Sequence, residues 1–397
     1  MINEECMIKK IIIILIFANL SINIFSQSLK IKYLKGNISE KTSAVKEATG
    51  EDSWWLCENA LDFVLNNKEI IGNDRELDAL AVATILSISN DYVSTLLSET
   101  QKFVLMNKYI DLFSKYESSA TVQTAVISKV ISQKDILNYN DFTAILNSYI
   151  SKNSLNQIDS SVLKSILTAF EYIGNNQTFL ILYTLWNNPK NIDYSQNIEN
   201  ALVSLIPISM NEVLNIIHQK DINKITAIFN LAKNNTKISR NSACEIAENV
   251  LNESILLSDD SSKITDDYVK LQLSALEILS ENNWTRASAI ALSYFDFSKK
   301  LYSEKKLTDS DMQIVISSLS NIAPLNAVLP LSKYLEELNS KKEQKDEISS
   351  EIVLTVIKTL GAIGDKSAFD SLLAVTYLDY PESVLSAARE ALAGLRW

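Results

Sequence analysis

Four stretches, far apart in the chain, end in the same way. They are Ile85-Leu86-Ser87-Ile88-Ser89-Asn90, Phe170-Glu171-Tyr172-Ile173-Gly174-Asn175, Leu319-Ser320-Asn321-Ile322-Ala323-Pro324 and Leu360-Gly361-Ala362-Ile363-Gly364-Asp365. Each carries an apolar pair at i and i+3, then a small residue, then a turn former. Residues three apart share a helix face. The small residue is where a helix stops, and Asn, Asp or Pro opens the next turn. With the second apolar residue as anchor, the series is Ile88, Ile131, Ile173, Ile208, Ala247, Leu279, Ile322, Ile363 and Leu395. Their partners three residues earlier are Ile85, Ser128, Phe170, Leu205, Cys244, Leu276, Leu319, Leu360 and Leu392, of which Ser128 alone breaks the apolar rule. The interval drifts from 43 residues (Ile88 to Ile131) to 32 (Ile363 to Leu395). An earlier unit is read at Val45 and Ala48, before Thr49-Gly50. A period of roughly 40 residues has room for two helices and marks helical-hairpin solenoids.

Composition points the same way. The 397 residues include only 7 Gly and 5 Pro, too few for the tight turns of a sheet-rich fold, and 47% are apolar, ample for a core. Helix-period patterns run from about Ser39 to the C-terminus. Starts are marked at Asp159-Ser160-Ser161, Thr308-Asp309-Ser310-Asp311 and Ser349-Ser350-Glu351, whose side chains can accept from free amides of a first turn. Two long charged loops are read at Ser258–Asp267 and Asn339–Ser350. A lone hairpin cannot bury its apolar faces, so neighbours must stack into one continuous core. The expected fold is all-α: an α-solenoid, or superhelix, of stacked antiparallel helix pairs. It occupies residues 27–397 as a single array of about ten repeats, with no linker dividing it.

The C-terminal stretch Val356-Ile357-Lys358-Thr359-Leu360-Gly361-Ala362-Ile363-Gly364-Asp365-Lys366-Ser367-Ala368-Phe369-Asp370-Ser371-Leu372-Leu373 resembles a HEAT repeat of the short bacterial kind. The continuation from Asp379-Tyr380-Pro381-Glu382-Ser383-Val384 to Ala387-Ala388-Arg389-Glu390-Ala391-Leu392 is similar to the second helix of the next one. The likeness is best over Val353–Trp397, weaker over Val162–Leu185 and Ile314–Leu335, and slight elsewhere. The resemblance implies an armadillo-like array, first helices on the convex side and second helices on the concave side. Many family members carry a basic residue after the Val of the second helix. Here Leu385 and Val353 stand there, and only Asp267-Tyr268-Val269-Lys270 keeps the pattern.

The N-terminus reads as a signal peptide over residues 1–26. Lys9 and Lys10 form its basic region, Ile11–Ala18 its apolar region, and Ser26 offers a small residue at the cut. The apolar run is shorter than the ~20 residues that span a bilayer; an uncleaved anchor is the other reading. Met7 is an alternative start. No Cys stands just after the apolar region, which speaks against a lipidated mature N-terminus. The bias toward Lys, Ile and Asn over Arg matches an AT-rich bacterial genome. The expected address is therefore export to the periplasm or cell envelope of a bacterium, or secretion.

The net charge is −11, and removing residues 1–26 takes away two bases and two acids, so it is unchanged. Such a chain repels phosphate backbones, and no basic stripe interleaved with aromatics is present, so nucleic acid is excluded as a partner. Cys6 leaves with the signal; Cys57 and Cys244 are read as small buried residues too far apart along an array to be bridged. His218 is the only histidine, and Ile216, Ile217, Gln219 and Lys220 beside it offer no catalytic arrangement, so it reads as a surface or cap residue. Asp259-Asp260 and Asp266-Asp267 suggest calcium, but their spacing is not that of an EF-hand and no Gly turns the loop; capping explains them. Trp54-Trp55, Trp186, Trp284 and Trp397 read as core, with one of Trp54 and Trp55 left outward because the two face different sides of a helix. No phosphate loop, paired-Cys motif or nucleophile elbow occurs. No catalytic, cofactor-binding or metal-binding residue is assigned, and no cofactor. The expected function is non-enzymatic: an exported scaffold for protein–protein interaction, holding a protein or peptide on the solenoid surface. The alternatives are a structural part of a cell-envelope assembly and, from the resemblance, a HEAT-like lyase.

Overall fold

The computed structural model describes residues 28–233, 235–257 and 264–396. The signal segment 1–26, the pair Asp259-Asp260 and Trp397 lie outside the described residues. Among the described residues the protein is all-helical, with no strand and one isolated bridge, between Asp365 and Arg396. The chain divides into two compact units, Met1–Leu205 and Ile206–Trp397.

In the first unit the helices are α1 (28–35), α2 (Ile38–Glu47), α3 (Glu51–Ile71), α4 (Arg75–Ser87), α5 (Asn90–Leu96), α6 (Glu99–Lys115), α7 (Ala120–Ser132), α8 (Asn140–Lys152), α9 (Ser160–Ile173), α10 (Asn176–Trp186) and α11 (Ser195–Leu205). Successive helices pair: α3 on α4, α6 on α7, α8 on α9, α10 on α11. Each pair also meets the next, so that α2, α4, α7, α9 and α11 follow one another in one row and α3, α6, α8 and α10 in another. In the second unit come α12 (Met210–Ile217), α13 (Ile222–Ala232), α14 (Arg240–Leu257), α15 (Asp266–Glu281), α16 (Ser288–Ser303), α17 (Asp309–Ile322), α18 (Val328–Glu343), α19 (Ser350–Ile363), α20 (Phe369–Val375) and α21 (Glu382–Ala393). There α12 pairs with α13, α14 with α15, α16 with α17, α18 with α19 and α20 with α21, while α15, α17, α19 and α21 form a row.

The local chemistry sets these boundaries. Thr308 and Asp311 form a reciprocal capping box at the start of α17, as Ser98 and Gln101 do for α6. Asp159 and Ser349 accept from the first-turn amides of α9 and α19. Each such cap contributes about 0.5–2 kcal/mol. Gly364 stops α19 at φ 72°, a left-handed conformation that a side chain would strain, and its amide donates to the Leu360 carbonyl. Along α9, Val162, Leu163, Ile166, Leu167, Phe170 and Ile173 are all buried, an inward stripe at helical spacing.

Side-chain bonds join neighbouring pairs, several of them across 40–42 residues. In the first unit Lys129 Nζ donates to the Ile88 carbonyl at 2.6 Å, 41 residues away, and Asn90 Nδ2 to the Ser132 carbonyl at 3.1 Å, 42 away. In the second, Asn321 Nδ2 donates to Ser280 Oγ at 3.2 Å and Tyr380 Oη to Asn339 Oδ1 at 3.1 Å, each 41 away. Ser349 Oγ donates to Asp309 across 40 residues.

The anchors sit at the C-terminal ends of α4, α7, α9, α11, α15, α17, α19 and α21, with one misplaced pair. Cys244 and Ala247 are buried in the first half of α14, in the other member of the pair; the equivalent position belongs to Phe229 and Ala232 at the end of α13. There Lys233 stands in place of the small residue, before Asn234-Asn235. Ile208 is 56% exposed in the turn after α11, Ser128 is exposed, and Ile131, Ile363 and Leu392 are half-buried. The charged stretch read as a loop from Asn339 is helical to Glu343, with Asn339 buried inside α18. Lys341 and Lys342 in its last turn face the helix's free carbonyls, where cations are stabilised. Helix also begins earlier than Ser39, at residue 28.

Buried tyrosines give the fold an alkaline limit. Burial pushes the phenols of Tyr33, Tyr334 and Tyr380 up to about 12, with nearby Asp62 adding to the effect at Tyr33 and Glu337 at Tyr334. A raised folded pKa favours the protonated native state. The stabilisation is therefore complete below the ordinary value of 10.0 and is lost as pH rises toward about 12. Tyr172 and Tyr377 are exposed, so part of the tyrosinate absorbance is independent of the fold. Alkaline titration should show the remaining part rising together with loss of helical circular dichroism across that window. Ionisation of all 15 tyrosines with helix intact would contradict this packing.

Candidate binding cleft

Helix α3 presents Trp54, Glu58 and Leu61 at i, i+4 and i+7, one face of a helix. Across from it α6 presents Thr100, Gln101, Val104, Leu105 and Lys108. Together they line an open cleft of about 240 Å³. Leu61 and Leu105 are buried beneath it, and Val104, 46% exposed, forms one apolar wall. Trp54 forms the opposite wall. Its indole stacks on Tyr92 of α5, ring centres 5.2 Å apart and planes 17° from parallel, so α5 holds it in place.

The polar residues of the cleft differ in how far they are committed. Gln101 closes the α6 capping box, accepting from the Ser98 amide at 2.9 Å. Lys108 pairs with Asp62 at 2.7 Å. The other lysines of α6 are also engaged: Lys102 with Glu99 at 2.9 Å, and Lys115 with Glu69 at 3.8 Å. Glu58 is exposed on the rim and forms no ion pair among the described residues.

A second, larger groove of about 560 Å³ runs between α13 and α15, floored by Asn223, Thr226, Asn230, Lys233, Tyr268 and Ser274. Its surface is mixed, with Ile222, Ala227, Phe229 and Leu271 beside the polar groups, and its lysines are occupied. Lys233 lies over the Phe229 ring and donates to Ser274 Oγ at 3.3 Å, and Lys270 stands 3.7 Å from Asp267. The α3–α6 cleft is the stronger candidate, because the greater share of its open surface is apolar and a braced tryptophan forms one wall, and covering apolar surface is what drives association.

The residues singled out in the sequence are dispersed. His218 ends α12, its Nε2 3.2 Å from Asn249 Oδ1 and 3.8 Å from Glu253 Oε1. Neither Trp54 nor Trp55 points free into solvent; Trp54 packs on Tyr92, and Trp55 meets Tyr33 edge-on at 6.2 Å with Lys30 over its ring. Trp186 donates to Glu199 at 3.0 Å and Trp284 to Glu248 at 2.7 Å, the latter shared with Arg286. Cys57 and Cys244 are free and buried. Burial pushes the Cys57 thiol up to about 11, far from the thiolate a nucleophile needs. Asp266 and Asp267 open the first turn of α15, where carboxylates complement the helix amides. Among the described residues no group of three or more His, Cys, Asp or Glu side chains converges to hold a metal ion, and no single helix is long and apolar enough to cross a membrane.

Sequence reasoning found Trp54 and missed the α6 half of the cleft. The signal was present. Phe103-Val104-Leu105-Met106 is four apolar residues in succession, more than one helix face can bury, so some must point outward. Comparison of the chain with protein-family models, with curated proteins and with solved structures finds no match.

Proposed function

We propose that this chain is an exported, non-enzymatic α-solenoid scaffold, HEAT-like in its repeats, that holds a protein or peptide partner on its surface. The observation that carries this reading is the α3–α6 cleft: an apolar floor, a braced tryptophan wall and a solvent-open mouth. Tryptophan held rigid beside a desolvated pocket is a frequent anchor of protein interfaces. The polar ties recurring at about 40 residues support stacked helix pairs. The raised Cys57 thiol and a histidine bonded to Asn249 offer no nucleophile beside a base.

Two measurements test the reading. Crosslinking in the native cell envelope followed by purification should yield a discrete protein partner in fixed ratio; recovery of the chain alone would contradict a scaffold. Intact mass of the protein from its host should correspond to a chain beginning at Gln27, since Lys9-Lys10, Ile11–Ala18 and Ser26 have the order of a cleaved signal. A mass that still includes Ile11–Ala18 would make it an anchored protein.

A further inference from the structure

We infer that the α3–α6 cleft takes one large apolar side chain of a polypeptide segment that carries Lys or Arg beside it, with the cation meeting Glu58. This rests on the scaffold reading and names the partner's chemistry. Size sets the first limit. At about 240 Å³ the cleft lies below the ~300–1,000 Å³ of small-molecule and cofactor sites, so it accommodates a single side chain and neither a helix nor a multi-ring ligand. Its surface sets the second. Trp54, Leu61, Val104 and Leu105 offer hydrocarbon and an aromatic face, which match an aromatic or large aliphatic group.

Charge sets the third. Lys102, Lys108 and Lys115 along α6 are each paired with a carboxylate, so none is left to receive an acidic partner. Glu58 is the rim charge without an ion pair among the described residues. The chain as a whole carries −11, so a cation is drawn both at long range and at the rim. Phosphate-bearing ligands, whether nucleic acid or lipid headgroup, would meet Glu58 with like charge. A basic, apolar polypeptide segment satisfies all three limits.

The test is selection from a short random-peptide display library on the purified wild-type chain, with Val104→Asp protein as counter-selection. Position 104 is half-exposed, so the substitution puts a charge in the cleft wall without emptying the core, and unchanged helical circular dichroism checks that. Enriched peptides should place an aromatic or large aliphatic residue next to Lys or Arg. As free synthetic peptides they should bind Val104→Asp and Glu58→Lys at least about tenfold more weakly than wild type. Changing the peptide's Lys or Arg to Glu should weaken wild-type binding and restore binding to Glu58→Lys. No enrichment, enrichment of acidic sequences, or equal binding to Val104→Asp would each overturn the inference. The two levels separate cleanly. A partner crosslinked in the envelope as well by Val104→Asp as by wild type leaves the scaffold standing and removes this cleft from it.

Discussion

Phe113→Ala is expected to cost about 3–5 kcal/mol of stability. Phe113 is 1% exposed on the inner side of α6. Its ring meets Phe142 edge-on at 5.7 Å and Tyr149 at 5.3 Å, both on α8, so one side chain ties two neighbouring helix pairs together. Edge-to-face pairs add about 0.5–1.5 kcal/mol beyond the area they bury. Truncation removes both and leaves a void between α6 and α8. The denaturant midpoint should fall with its slope unchanged. Phe103→Ala, on the same helix but 58% exposed, is the control and should move stability by about 0.5 kcal/mol or less. Equal effects of the two changes would mean that α6 is rotated from the position described.

Leu360→Ala is the second large effect, about 2–5 kcal/mol. Leu360 is fully buried on α19, which packs against α17, α18 and α21. The site resists collapse. Gly361, next along the helix, lies so close to α21 that an added Cβ would come within 2.9 Å of Ala391 Cβ, so the spacing between the two backbones is already at its minimum there. A cavity that cannot shrink puts the cost toward the upper part of that range. Ile363→Ala should cost clearly less, because Ile363 is half-buried at the end of the helix. Chemical denaturation of both variants decides the ranking, and an Ile363→Ala loss as large as that of Leu360→Ala would contradict it.

The sequence carried the helices more legibly than their register or their surface. Phe170 and Ile173, Leu319 and Ile322, and the caps at Asp159, Thr308 and Ser349 could be read directly, because an i, i+3 apolar pair and a capping side chain act within one turn of helix. The slip at Cys244–Ala247 came where those local cues fail. Helices α12 and α13 are short, so Ala232 falls only 24 residues after Ile208 and Lys233 fills the small-residue position, while Ala247 inside α14 lies 39 residues on and matched the expected interval by chance. The loop read over Asn339–Ser350 shows the reverse error: a dense charge run is compatible with a helix end when its lysines sit in the last turn. The cleft was half-legible for a different reason. Trp54 is conspicuous by composition, but its wall partner Val104 and the other α6 residues, Thr100 to Lys108, lie 46–54 residues downstream, and only the packing of α3 on α6 brings them together. Neither could the sequence tell that Tyr92 would brace Trp54 and leave neither tryptophan of the pair free.

Stacked helix pairs make one claim that a globular bundle does not: stability should be coupled to near neighbours and weakly beyond them. Native-state hydrogen exchange of Leu360→Ala, followed within the second unit alone, measures that coupling directly. The account predicts lost protection in α19, α20 and α21 and in the facing turns of α17 and α18, with α12, α13 and α14 protected as in wild type. Protection lost evenly from α12 through α21 would show one cooperative globular unit and contradict the stacked-repeat account.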